Sequence, residues 1–309
     1  MAVHLGYLLP TREQIMQGRH ETGPLLDLAA RAASLGFQSV WVGDSLTARP
    51  RHDPLTLLAA VAGRTPSLTL GTAVLLPPLR NPVLLAHQVA TLDRLCEGKL
   101  ILGVGFAADV PNIRAEFAAA GVPWDKRVGR MMEGLRLCQA LWSGAPVDWD
   151  GRWQMKQATV APMPHRPGGP PLWIGGNRPA SLDRAGRFFN GWFPNSPSPA
   201  EFPERMAHIR EVAQRHGRNP NAISGAVYLT VCIDENAAAA EDRMNRFMEG
   251  YYGQPAAAMR KRQVNYAGGL AGLGEWLTAY EQAGVTHLCL RFAGDHERHM
   301  DAVARLRGL

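Results

Sequence analysis

Cysteine is scarce in this chain. Its 309 residues hold four, Cys96, Cys138, Cys232 and Cys289, and no two form a Cys-x-x-Cys pair. That argues against a disulfide framework and a zinc ribbon, and for buried thiols in a reducing compartment. Long apolar runs are missing as well: no stretch reaches the roughly 18 residues that a membrane helix needs. The N-terminus enters a strand-like run, Val3 to Leu9, with no basic segment ahead of a long apolar one. A cytoplasmic protein that engages no membrane is expected. Charge is low, at 19% of residues, and Lys plus Arg exceed Asp plus Glu by only 33 to 27. The basic residues are scattered, with Arg260-Lys261-Arg262 the densest run, so no nucleic-acid stripe is present. The resulting net charge of +6 suits a phosphate-bearing cofactor without requiring one.

What the chain does have is 46% hydrophobic residues arranged in a strict alternation. Short apolar runs occur at Val3–Leu9, Ser39–Val42, Leu68–Val74, Leu100–Val104, Leu172–Ile174, Gly191–Phe193, Tyr228–Ile233 and His287–Phe292. Strands buried on both faces read in this way, and eight of them separated by helices predict one (β/α)8 TIM barrel domain over residues 1–309. The helices carry their own signals. Asp53-Pro54 and Asn81-Pro82 place a capping side chain before a first-turn proline. Leu85, Val89, Leu92 and Cys96 recur at helical spacing, as do Met131, Leu135, Cys138 and Trp142. Gly36 and Gly284 follow helices at Leu25–Leu35 and Leu273–Ala283, where a left-handed residue is wanted. Two stretches break the rhythm. Val147–Val160 holds a hairpin signal at Asp150-Gly151, and Tyr251–Gly269 has no clear period. Insertions of this kind sit over a barrel's catalytic face as lids or walls. Pro162–Pro171 reads as a loop into the fifth strand.

On a TIM barrel the chemistry lies at the C-terminal ends of the strands. Here those ends are rich in glycine and poor in acids and bases. They offer no Ser-His-Asp order, no paired carboxylates and no metal ligands, so a bound cofactor is expected to carry the reaction. A metal-dependent hydrolase is disfavoured for the same reason. Gly175-Gly176-Asn177, followed by Arg178-Pro179 at a helix start, is an anion-site candidate, with a plain tight turn as the alternative. Gly103-Val104-Gly105 lacks the third glycine of a dinucleotide fingerprint; its smallness serves close backbone approach or a planar ring. Asp44, after the second strand, is the candidate catalytic acid, weighed equally against pairing with an arginine. Glu116, Arg127 and Glu133 read as structural ion pairs, and Trp41, Trp142 and Trp173 as packing. His296 and His299 follow the N-cap Asp295 and read as a solvated first turn.

Several ordered motifs together resemble the luciferase-like monooxygenase family over nearly the whole chain. They include Leu70-Gly71-Thr72-Ala73-Val74, Arg80-Asn81-Pro82-Val83, His87 through Asp93, Gly98-Lys99-Leu100 and Gly103-Val104-Gly105. They continue through Glu116-Phe117, Leu141-Trp142, Pro170 through Gly176 and Ala283-Gly284-Val285. The resemblance implies an oxidoreductase barrel, usually a homodimer, that binds FMN or the deazaflavin coenzyme F420. It implies a bulge at Ala73-Val74, often with a cis peptide, beneath the ring. Thr72, Gly105, Phe106 and Asp109 would also contact the cofactor, and Gly175, Gly176 and Asn177 would hold its phosphate. Ser45, Trp192, Phe193 and Phe292 would line an apolar substrate pocket. Many relatives have histidine where this chain has Ser45, and some deazaflavin-dependent ones have a proton-donating glutamate where it has Phe106. These departures leave the cofactor open; the reading taken is reduced FMN with oxygen acting on a small organic substrate, fed by a separate flavin reductase. Hydride transfer with F420 is the alternative, and a non-catalytic flavin-binding barrel is the reading from another class.

Overall fold

The computed structural model, which describes residues 3–308, turns each of the eight apolar runs into a strand. In chain order the strands are β1 (His4–Leu8), β2 (Ser39–Val42), β3 (Thr69–Thr72), β4 (Leu100–Val104), β5 (Val147–Asp150), β6 (Gln154–Ala158), β7 (Leu172–Ile174), β8 (Gly191–Trp192), β9 (Ser224–Ile233), β10 (Asn265–Gly268) and β11 (His287–Phe292). Eight of them, β1-β2-β3-β4-β7-β8-β9-β11, pair in parallel and close on themselves through β11 and β1. Gly6 of β1 thus faces Ser39 on one side and Cys289 on the other. Helices follow the strands around the outside, as a TIM barrel requires. β5 and β6 form the expected antiparallel hairpin. The aperiodic stretch contains β10, which extends the sheet by pairing with the far half of β9, from Asn265 opposite Thr230 to Gly268 opposite Ile233.

The helix boundaries follow from local chemistry. Asp53 accepts a hydrogen bond from the Thr56 amide at the head of helix Pro54–Arg64, and Asn81 caps Pro82–Leu95 through Val83 and Leu84. Gly36 and Gly284 adopt φ of 81° and 89° just past their helices, a conformation that favours glycine. All four cysteines are free and buried. No helix among the described residues is long and apolar enough to cross a membrane.

The barrel interior is packed by a large-to-small fit. Trp41 and Trp173 stack at 5.6 Å inside it, beside Phe193, Ile101 and Cys289. They fit only because their neighbours are glycines: a Cβ on Gly71 would lie 2.1 Å from Trp41, and one on Gly191 would lie 2.5 Å from Trp173. Gly103 is equally constrained, since its Cβ would sit 2.1 Å from the Thr72 carbonyl. Fully burying aromatic rings of this size contributes about 2–3 kcal/mol each.

Two expectations are corrected. His299 is not solvated; it is buried, and its Nε2 accepts from the Ile233 amide at 2.9 Å. His296 tucks its ring against Tyr7 and Phe292, and its Nδ1 is 2.8 Å from the Tyr7 hydroxyl. The helix does begin there, capped by Asp295, but its first turn faces the barrel because Tyr7 and Phe292 present an aromatic wall. Of the anticipated ion pairs only Glu133 has one, to Arg152. Arg127 instead lies 3.7 Å over the Trp124 ring and donates to the Phe106 carbonyl, while Glu116 serves backbone amides.

Candidate active site

A cavity of about 390 Å³ opens at the C-terminal ends of the strands. One wall comes from β3, β4 and β7. After β3 the peptide between Ala73 and Val74 is cis, and the strand direction is regained when Leu75 donates to Gly103 and accepts from Gly105. Ala73, Val74, Gly105, Phe106, Gly175 and Gly176 all line the cavity from this side. Gly105 must be small, because its Cβ would lie 2.8 Å from a Val74 methyl. Gly176 has φ of 102°, which turns the chain into helix Pro179–Phe188. The wall is therefore almost all backbone, a shelf against which a planar ring can lie flat.

Of the other anticipated cofactor contacts, Thr72 is buried and donates to the Gly103 carbonyl at 2.7 Å. Asp109 is exposed and grips Arg114 through both oxygens. Asn177 lies beyond the turn with its Nδ2 on the Ser196 hydroxyl, while its buried Oδ1 has no partner. None of these three lines the cavity.

Asp44 and Ser45 do line it, and both are engaged. Asp44, at 1% side-chain exposure, holds the Arg80 guanidinium with both oxygens and accepts from the Leu76 amide at 2.8 Å. Ser45 donates to Glu116 at 2.7 Å. The same Glu116 oxygen accepts from the amides of Leu46, Thr47 and Ala48, at 2.5, 2.9 and 3.2 Å. One buried carboxylate thereby shapes the whole loop after β2, and its other oxygen, Oε2, is left without a partner at the cavity edge. Phe193 lines the cavity as expected. Trp192 and Phe292 do not: Trp192 stacks on Phe202 outside the barrel and donates to the Gly176 carbonyl, and Phe292 faces the neighbouring cavity.

The opposite wall escaped the sequence reading. It consists of Arg49 and Arg51 from the loop after β2, Tyr228 from β9, Tyr251 and Tyr252 from helix Ala237–Tyr252, and Arg291 from β11. Arg291 is almost fully buried, donates to the Thr230 hydroxyl at 2.9 Å, and lies 4.6 to 5.5 Å from the ring centres of Tyr228, Phe247, Tyr251 and Tyr252. Burial alone would raise the Tyr252 phenol, but the Arg291 guanidinium, helped by Gln263 and Arg49, holds it below the ordinary tyrosine range. Burial raises the Tyr228 phenol despite the same cation. The signal that could have found this wall is strand parity. In β11, His287, Cys289 and Arg291 share the inward face, whereas Phe292 points to the helices.

A larger cavity of about 650 Å³ lies outside this one, between helix Gly23–Ser34 and the segment after β11. It has neither the backbone shelf nor the glycine turn, so its size does not make it the reaction site. Among the described residues no cluster of His, Cys, Asp and Glu could hold a metal ion.

The description of the luciferase-like monooxygenase family matches this chain from residue 3 to residue 309. The chain belongs to that family. Its relatives include the F420-dependent glucose-6-phosphate dehydrogenase of Mycolicibacterium smegmatis, 32% identical over 219 residues, which are 68% of this chain and 65% of that protein. Another is the 5,10-methylenetetrahydromethanopterin reductase of Methanolobus tindarius, 30% identical over 213 residues, 69% of this chain and 62% of that protein. The match thus spans just under two thirds of each relative's length. Among solved structures, an F420-dependent secondary alcohol dehydrogenase with an F420-acetone adduct superposes with a TM-score of 0.83 at 19% identity, covering 99% of this chain and 98% of that one. A monooxygenase from Streptomyces bottropensis gives 0.81 at 21% identity, covering 97% of both chains. At these identities the structural likeness establishes the shared luciferase-like barrel.

Proposed function

We propose that this chain is an F420-dependent oxidoreductase that moves a hydride between the deazaflavin and the carbon of a substrate hydroxyl or carbonyl. The observation that carries the reading is the cavity wall built from Arg49, Arg51, Arg291, Tyr228, Tyr251 and Tyr252. A pocket that shelters an oxygenated flavin from water is expected to be dry and apolar. This one presents three guanidinium groups and three phenols opposite the ring shelf. Such equipment suits a reaction in which a proton must accompany a hydride. The relatives named for F420 support the same choice.

The residues present fit such a cofactor. The backbone shelf at Ala73-Val74 and Gly105 leaves room for a flat ring, and the turn at Gly175-Gly176, ahead of a helix N-terminus, suits its phosphate. Bound there, the deazaflavin would supply a hydride donor or acceptor. Tyr252 is the proton-transfer group in this reading. In the reductive direction its O–H would give a proton to the substrate's carbonyl oxygen. The resulting phenolate remains beside Arg291 and Arg49, which already favour it. Asp44, with both oxygens engaged, positions Arg80 and the β3 crossover. A second reading, reduced FMN with oxygen, is favoured by Phe106, since the glutamate of some deazaflavin relatives is absent there.

Anaerobic titration of the purified protein with F420 and, separately, with reduced FMN distinguishes the two by absorbance and fluorescence. Tight binding of F420, with FMN at least tenfold weaker, is expected. The reverse order would overturn the proposal in favour of the oxygen reaction.

A further inference from the structure

Four arginines converge on one side of the cavity mouth. Arg12 lies over the Tyr251 ring at 5.0 Å, Arg51 over the same ring at 6.0 Å, Arg49 over Tyr252 at 4.8 Å, and Arg291 among all three tyrosines. Among the described residues, none of the four has a carboxylate within 4.0 Å, although twelve other Arg and Lys side chains do. The Nε and Nη1 of Arg291 and the Nε of Arg12 are buried with no hydrogen-bond partner at all. Glu13 is the one acid close enough to be felt by the group; burial raises its pKa even against the pull of Arg291.

The tyrosines and Glu13 hold the Arg51 and Arg291 cations, yet several of the guanidinium N–H groups still lack an acceptor. Buried cations need either an anion or a full set of acceptors, and aromatic faces replace only part of the hydration lost. The guanidinium groups also oppose one another: burial first, then Arg51 and Arg49, depress the pKa of Arg12. By contrast Arg80 is held by two carboxylates, Asp44 and Asp53, and Arg218 spends its guanidinium on the Gly186 and Phe189 carbonyls. Acceptors for the unpaired Arg291 N–H groups are not supplied by the side chains around them, and an anion entering the cavity would supply them.

We infer that the cavity wall formed by Arg49, Arg51 and Arg291, with Arg12 next to it over the Tyr251 ring, is a binding subsite for an anionic group, a phosphate or carboxylate, carried by the substrate. Topology separates it from the cofactor's phosphate. Around the barrel, β1 and β7 are diametrically opposed. The four arginines come from β11, the short helix Thr11–Met16 after β1 and the loop after β2, whereas the Gly175-Gly176 turn follows β7. A ring on the shelf between them would have its own phosphate at one end and the substrate's anion at the other. The guanidinium fork is suited to either oxyanion, through paired N–H donors. The inference deepens the hydride-transfer reading by naming a class of substrate.

The test uses the full-length protein without cofactor, titrated calorimetrically with inorganic phosphate, acetate and the neutral control glycerol. Saturable millimolar or tighter binding of phosphate or acetate is expected, with none of glycerol. The stronger of the two anions identifies the group. Arg51→Gln and Arg49→Gln, both on a loop and half-buried, should each weaken that binding at least tenfold while leaving F420 affinity within about twofold. Arg291→Gln should abolish it, and the loop variants keep the test valid if this core substitution fails to fold. No anion binding by the wild type would overturn the inference. So would binding that both loop variants retain, since the anion would then sit at the glycine turn. Loss of F420 binding in the wild type would instead sink the cofactor reading and leave the anion subsite standing.

Discussion

Replacing Glu116 by alanine should both destabilise the protein and disarm its arginine wall. One buried oxygen of this side chain accepts from the Ser45 hydroxyl and from three successive amides, Leu46 to Ala48. Hydrogen bonds to a charged acceptor contribute about 1.5–3 kcal/mol each when buried, and less when water can replace the partner. Leu46 and Thr47 are exposed, so their amides recover solvent, whereas Ser45 is buried and its hydroxyl does not. Removing the carboxylate should therefore cost about 3–4 kcal/mol. For 309 residues each kcal/mol corresponds to about 1.5 °C, so the thermal midpoint should fall by about 5 °C. The loop it organises runs directly into Arg49 and Arg51, so anion affinity should fall at least tenfold at a temperature where the variant is still folded. Glu116→Gln, which keeps an acceptor and loses the charge, should show roughly half the thermal shift. Scanning calorimetry with phosphate titration measures both effects. A midpoint within 1 °C of wild type for the alanine variant would refute the clamp.

Three further outcomes are expected. Asp44→Asn should cost about 2–3 kcal/mol by leaving Arg80 under-paired, and Arg80→Met in the same chain should recover much of it; urea unfolding that shows no recovery would refute the pairing. Gly71→Ala should lower the thermal midpoint by several degrees, because the new methyl meets Trp41 at 2.1 Å, whereas Gly63→Ala on helix Pro54–Arg64 has open space and should be neutral or stabilising. Equal midpoints for the two would remove the packing argument. Burial first, then His299, pushes His296 down to about 3, so the native state keeps it neutral while the unfolded chain protonates below about 6.5. That stability is present above pH 6.5 and lost as pH falls, by about 3 kcal/mol on reaching pH 4. His296→Gln should flatten this part of the profile, and parallel pH profiles for variant and wild type would contradict it.

The barrel was legible because each strand is buried on both faces, so its whole length is apolar and stands out against the helices. The Ala73-Val74 bulge and the Gly175-Gly176 turn were legible through family motifs. The arginine wall was not, for two physical reasons. In a strand buried on both sides, composition does not reveal which face a residue takes, so Phe292 drew notice where its neighbour Arg291 enters the cavity. Trp192 and Phe193, at the end of β8, repeat that ambiguity. Tyr251 and Tyr252, moreover, come from the end of helix Ala237–Tyr252, which meets Arg49 and Arg12 only once the chain is folded. Glu116 illustrates the same limit. Its sequence neighbours suggest a surface ion pair, and only the fold brings the loop after β2 within reach of its carboxylate.

The cavity is assembled from two unlike materials. The shelf and turn on the β3, β4 and β7 side are backbone and glycine, where almost any substitution collides or twists the chain. The facing side is made of long side chains, two on barrel strands and the rest on a loop and one helix end, with the loop fixed by a carboxylate from elsewhere. Redesign for a different substrate thus has a natural dividing line. The segments after β1 and β2 can be re-charged as cassettes while the cofactor half is left untouched, and a library confined to Arg12, Arg51 and Tyr251 would explore new specificities while keeping Tyr252 and its phenolate-stabilising arginines.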